Sequence, residues 1–183
     1  IMLLKAVENG NLAQVKSILQ STNCSEADLL AVNANNETAL YIATRLPNVQ
    51  IMAEIVSSPL CTEQVLLKNL CGFGQETVLH AAVKQALIHK NLDIMVPILG
   101  AYQLSENVLA AQDCEGDTAL HSAMKRAPEE ITMGESDFNP LNVIGMITPS
   151  CTEKVLLVKN RNGDTPLHLA VEFAILCNYT SIL

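Results

Sequence analysis

Four histidines and six cysteines are the side chains of this 183-residue sequence best suited to chemistry. Three of the histidines, His80, His121 and His168, share one local setting, Thr-x-Leu-His-x-Ala. Imidazoles set at matching places could act as general bases or gather a metal ion. Tyr41 occupies the same place in a further copy of the string, Thr38-Ala39-Leu40-Tyr41-Ile42-Ala43. A phenol there favours a structural role for the whole set over a catalytic one. His89 lies outside the pattern and reads as a solvated residue late in a helix. Among the cysteines no Cys-x-x-Cys pair occurs, so the strongest zinc signature is missing. Cys24, Cys61 and Cys151 each precede Ser/Thr-Glu, and the fourth equivalent position is Leu104. Leucine cannot replace a metal ligand or a disulfide partner, whereas it can replace a small buried apolar group. Free buried thiols fit a reducing compartment, so the expected location is cytoplasmic. The sequence contains no Gly-x-Ser-x-Gly, no phosphate-binding Gly-Lys-Ser/Thr and no His-Glu-x-x-His, which leaves no mechanism to build. No catalytic residue, cofactor site or metal site is therefore assigned.

The elements that hold these residues repeat. The string occurs at Thr38, Thr77, Thr118 and Thr165, with separations of 39, 41 and 47 residues. Asp113-Cys114-Glu115-Gly116-Asp117 and Asn160-Arg161-Asn162-Gly163-Asp164 precede the last two copies and read as tight turns. Each motif Thr sits where a helix begins, and Pro166 takes the favoured first helical position in the last copy. Second helices are expected around Val15, Ile18 and Leu19; Ile51, Ile55 and Val56; Ile94, Ile98 and Leu99; and Val143, Ile144 and Ile147. Asn48 and Asn139-Pro140 are start signals, and Pro97 should distort its helix or shift its start. Before each motif stands Ser25-Glu26, Thr62-Glu63, Ser105-Glu106 or Thr152-Glu153, followed by a short apolar run. Such a sequence reads as an N-cap and one extra helical turn at every junction.

These strings and turns resemble the Thr-Pro-Leu-His-x-Ala signature and hairpin tips of ankyrin repeats, over nearly the whole chain. Ala6 to Leu19, with Asn9-Gly10 between two helices, looks like a truncated first unit. The separations exceed the family period of 33. The resemblance implies an all-α fold, an α-solenoid of ankyrin repeats with short hairpin-like tips and extra turns between repeats. It gives a single domain over 1–183 of about five units: 1–32, 33–68, 69–111, 112–158 and 159–183. The motif histidines would then hydrogen-bond across the stack. Function would follow as a protein–protein interaction scaffold or inhibitor, not an enzyme, binding through its concave face.

The residue before every motif Thr is acidic (Glu37, Glu76, Asp117, Asp164), and the seventh after it is basic in three copies (Arg45, Lys84, Lys125), with Glu172 in the last. Helix electrostatics explains an acidic row along the tips. A basic stripe along the groove, with Arg126 beside it and a reversal at Glu172 and Phe173, is the best candidate for a partner site. The candidate set is Arg45, Phe73, Lys84, Gln85, Glu115, Lys125, Arg126, Arg161, Asn162, Glu172 and Phe173. Phe73 reads equally as an exposed anchor or as core. The polar, acidic stretch 127–139 reads as a solvated loop between helices, or alternatively as a binding segment.

Composition excludes some partners. The net charge of −8 argues against nucleic acid and anionic membranes, and no apolar run is long enough to span a bilayer. Hydrophobic residues make up 49% and aromatics only 3%, which suits closely packed short helices. The start at Ile1 and the apolar finish at Ile182-Leu183 motivate two other readings. One is the targeting portion of a larger enzyme or of a host-directed bacterial effector, acting in host-cell cytoplasm. The other is self-association through the apolar C-terminal end.

Overall fold

A computed structural model describes residues 2–68, 74–132 and 138–180, of which 128–132 and 176–180 are described by their backbone alone. The described residues are helical, and their one β interaction is an isolated antiparallel bridge between Val32 and Thr38. Phe73 lies outside the described residues, as do 133–137 of the acidic stretch.

Four first helices begin at the motif, α4 (Ala39–Thr44), α7 (Val78–Ile88), α10 (Ala119–Thr132) and α13 (Pro166–Thr180), and α1 (Met2–Glu8) takes the same place ahead of them. Each packs on the next, so α1, α4, α7, α10 and α13 form one column. Second helices α2 (Leu12–Leu19), α5 (Val49–Ser57), α8 (Val96–Leu99) and α11 (Leu141–Ile147) follow the first four. Here α2, α5 and α8 pack in order, whereas α11 lies against α10 and α7. Pro97 acts as expected. Its segment splits into a 3₁₀ turn (Leu92–Ile94) and a short α8, with proline in the first turn of α8, where its missing N–H does no harm. Asn48 and Asn139 both accept a backbone N–H at a helix start, as their types require.

The four junctions each carry the expected extra turn: α3 (Glu26–Leu30), α6 (Glu63–Leu67), α9 (Glu106–Ala110) and α12 (Glu153–Leu156). These form a third column, α3 on α6, α6 on α9 and α9 on α12. The capping residues have the extended backbone of an N-cap at all four sites. Three of the hydroxyls make a bond beyond the expectation. Thr62 donates to Glu26, Ser105 to Glu63 and Thr152 to Glu106, so each hydroxyl is bonded to the glutamate of the preceding junction. Ser105 also accepts a backbone N–H of its own turn, from Val108 at 3.3 Å, and Ser25 closes a capping box with Asp28, as its type predicts.

Cys61 is fully buried and Cys24 and Cys151 are half-buried, which agrees with a packing role. Burial pushes the Cys61 thiol up to about 11, so it stays protonated at neutral pH. Apolar side chains from the three columns form one continuous core, from Leu3 to Val155. The stretch from 127 corrects its sequence reading at the start. Residues 127–132 continue α10 rather than opening a loop, with Ala127 buried on the same face as Ala123 and Leu120.

Candidate functional site

Three tips are each built by one side chain. Asp113 accepts the backbone N–H groups of Glu115 (2.8 Å) and Asp117 (3.0 Å), and Asn160 does the same for Asn162 and Asp164. Asn33 repeats this with Asn35 and Glu37, a tip the motif missed because Asn36 stands where later tips have glycine. The position two before the motif Thr is left-handed in all four copies: Asn36, Gln75, Gly116 and Gly163. Glycine and asparagine tolerate that conformation, whereas glutamine is strained by it.

Two of the histidines are held at both ring nitrogens. His80 Nδ1 lies 2.8 Å from the Thr77 hydroxyl and accepts the Thr77 N–H, while its Nε2 donates to the carbonyl of Asp117 in the next unit at 2.9 Å. His121 repeats both contacts with Thr118 and the Asp164 carbonyl. A carbonyl can only accept, so Nε2 carries the proton and Nδ1 is the acceptor: the ring is neutral with both nitrogens engaged. Burial holds the His121 pKa below the usual imidazole value, against the opposing pull of the Asp164 carbonyl and Asp117. His168 makes the threonine contact and no Nε2 contact among the described residues, and it is exposed. His89 is exposed at the end of α7 and bonds Gln85. Among the described residues no cluster of three His, Cys, Asp or Glu could hold a metal ion.

The charged residues do not form separate acidic and basic tracks. Arg45 pairs with Glu37 at 2.7 Å, Lys84 with Glu76 at 3.9 Å, and Lys125 with Asp117 at 2.5 Å and Glu115 at 3.3 Å. Eight residues span about two helical turns, and the long basic side chain reaches back to the tip that starts the helix, so acid and base meet within each unit. The pairs differ in weight. Arg45 is exposed, stacks over Tyr41 with 5.2 Å to the ring centre, and its ion pair contributes ~0–1 kcal/mol. Asp117 is buried, and accepts from both Lys125 and the Asn160 amide (2.8 Å). Burial pulls the Lys125 ammonium down, but the Asp117 and Glu115 carboxylates together outweigh it and leave Lys125 above the ordinary lysine value.

A cleft of about 330 Å³ lies where the third and fourth tips meet α10. Gly74, Glu76, Cys114, Glu115, Lys125 and Arg126 are among its lining residues. The cleft thus unites three members of the predicted set: Glu115, Lys125 and Arg126. The Glu115 carbonyl also accepts the N–H of Arg161, so the fourth and fifth tips are joined through backbone. Arg161 and Asn162 are exposed on the last tip, and Glu172 is exposed on α13. Lys84 is half-buried and points to its own tip, while Gln85 is turned to His89. Phe173 is corrected: it is buried, four residues from buried Leu169, on a face of the helix that packs on α10. It cannot serve as a surface contact.

Sequence reasoning missed the glutamates Glu26, Glu63 and Glu106 as bonding groups between units. Their signal was present in the invariant Ser/Thr-Glu adjacency, which also fits a simple helix start. No helix among the described residues is long and apolar enough to cross a membrane. No protein-family model matches the chain, and no curated protein matches it either.

Proposed function

We propose that this chain is an ankyrin-type repeat scaffold that binds another protein along the face made by its tips and first helices. The cleft between the third and fourth tips and α10 carries this reading. It is open, bears both signs of charge, and sits on two tips joined by backbone, the Cys114 N–H donating to the Gly74 carbonyl at 2.8 Å. Supporting it, the motif threonines open helices that pack in chain order, and the histidines bond forward to the next unit, as the resemblance implies. Such a surface offers a partner fixed donors and acceptors at little ordering cost. An intracellular setting is part of the proposal, since the junction cysteines act as packing groups and not as cross-links.

Arg126 is the residue with which to test it. It lines the cleft and has no ion pair among the described residues, so its reversal should leave the fold intact. Lys125 is unsuitable, because its loss strands the buried Asp117. A photo-crosslinking group at Ser122, inside the cleft, should trap one partner in cells, and Arg126→Glu should abolish that adduct without moving the melting temperature. A crosslink pattern unaltered by Arg126→Glu would remove the cleft from consideration.

A further inference from the structure

Taking the cleft as the partner site proposed above, we infer that it receives an acidic side chain, an aspartate or glutamate on a segment of the partner protein. Glu115 holds the place of that carboxylate until the partner arrives.

In the second and third units the basic residue late in the first helix pairs with the acid just before the motif threonine. Arg45 takes Glu37 and Lys84 takes Glu76. Lys125 takes the equivalent acid, Asp117, and takes Glu115 as well. The position of Glu115, two before that acid, is Asn35, Gly74 and Asn162 in the other tips. An acid at this position is therefore a departure from the repeat, and it stands in the lining of the cleft.

The two acids hold Lys125 on different terms. The Asp117 side chain is 3% exposed, lies 2.5 Å from the ammonium, and is also bonded by the Asn160 amide at 2.8 Å. The Glu115 side chain is 68% exposed and its carboxylate lies 3.3 Å away. An exposed pair of that kind contributes little, so another carboxylate can displace it. The buried pair cannot part without stranding a charge. Lys125 is thus fixed in the cleft wall by one permanent acid and covered by one replaceable acid. Its ammonium has three N–H donors, and an incoming carboxylate takes over the one that Glu115 uses. One charge-assisted hydrogen bond replaces another, so Lys125 is covered before and after the exchange.

The other acids of the cleft are engaged within the chain. Asp113 accepts two N–H groups of its own tip, and Glu76 faces Lys84. Arg126 follows Lys125 in the lining and adds a second positive charge beside the entering group. The volume of about 330 Å³ is at the lower end for ligand clefts, which suits one side chain with its flanking backbone.

Blocked pentapeptides serve as probes: acetyl-Ala-Ala-Glu-Ala-Ala-amide, and the same peptide with glutamine, lysine or phosphoserine at its centre. The backbone N–H signals of Cys114, Glu115 and Ser122 are followed in NMR titrations of the 183-residue protein. The glutamate peptide should shift them saturably, and the glutamine peptide should not. Glu115→Gln should tighten the glutamate peptide about two- to fivefold, the range that removing a competing surface ion pair allows. The variant should melt with the wild type, because its side chain is exposed and the tip bonds at this position are made by backbone. No saturable shift with the glutamate peptide overturns the inference. So does affinity unchanged or weakened by Glu115→Gln, or a preference for the lysine or phosphoserine peptide. The crosslink at Ser122 separates this inference from the reading it extends. An adduct lost in Arg126→Glu and increased in Glu115→Gln supports both. An adduct lost in Arg126→Glu but diminished in Glu115→Gln keeps the cleft as the partner site and overturns the acidic occupant. Peptide selectivity without any adduct in cells supports the carboxylate chemistry and overturns the partner-binding reading.

Discussion

The fourth and fifth units carry the same local sequence and meet different surroundings. Both have an Asx-built tip, a left-handed glycine, an acidic residue before the threonine and a motif histidine. In the fourth unit a neighbour covers all of this; in the fifth nothing among the described residues does. Leu120 and Leu167 show what the neighbour is worth, since the type and position are equal and only the cover differs. Motif residues are thus not stabilising in themselves. They become so when the next unit closes over them.

The comparison can be broken first at these leucines. Leu120→Ala should destabilise by ~2–5 kcal/mol, as large-to-small core changes do. Leu167→Ala should stay within ~0.5 kcal/mol. Chemical denaturation of both variants decides the matter, and equal losses would mean the fifth unit is covered after all. Glycine sharpens it next. A Cβ at Gly116 would meet the Arg161 backbone nitrogen at 2.9 Å, whereas one at Gly163 meets nothing within 4 Å. Alanine at either site bears the left-handed penalty of ~1–2 kcal/mol, and only Gly116→Ala must also push the fifth tip away. The melting temperature should therefore drop further for Gly116→Ala.

Protonation gives a subtler contrast. His121 has its pKa lowered in the folded protein, so its contribution to stability is present above the ordinary imidazole value of 6.5 and is lost as pH falls below it. The groups facing it are Thr118, the Asp164 carbonyl, Asp117, Lys125 and Asp113. Carboxylates held low, such as Glu63 and Glu106, titrate below 4.5 and leave this window clear. Melting temperature should fall between about pH 7.5 and 5.5. His121→Gln should flatten that fall. The smallest effect is a gain. Gln75 is the one tip residue of its type at positive φ (48°), so Gln75→Gly should stabilise by ~0.5–1 kcal/mol, and no change would show that its tip relaxes without help.

Much of the helical plan was legible because its signals are local. Threonine starts, the Asn48 and Asn139 caps, the split at Pro97 and four junction turns depend on side chains within a few residues of the backbone they govern. The charged face was legible only as composition. Arg45, Lys84 and Lys125 could be placed on a helix, yet their pairing with Glu37, Glu76 and Asp117 needs the relative position of tip and helix. Phe173 was misplaced for a related reason. Its helix offers apolar residues on both sides, Leu169 and Phe173 inward and Leu167, Val171 and Ile175 outward, so periodicity could not choose the buried face. The Thr62, Ser105 and Thr152 hydroxyls looked like caps because a cap is the nearest use for them. Their actual partners lie 36, 42 and 46 residues away.

The junction bonds, each reaching one unit and no further, have a mechanical consequence. Tension applied between the two ends would load hydroxyl–carboxylate bonds at the first three interfaces and imidazole–carbonyl bonds at the last two. The weakest interface would yield alone, freeing about forty residues and roughly 130 Å of slack before its neighbours felt the next rise in force. Released units would rewind against the face left standing, so the chain would behave as a spring that extends and recovers in steps.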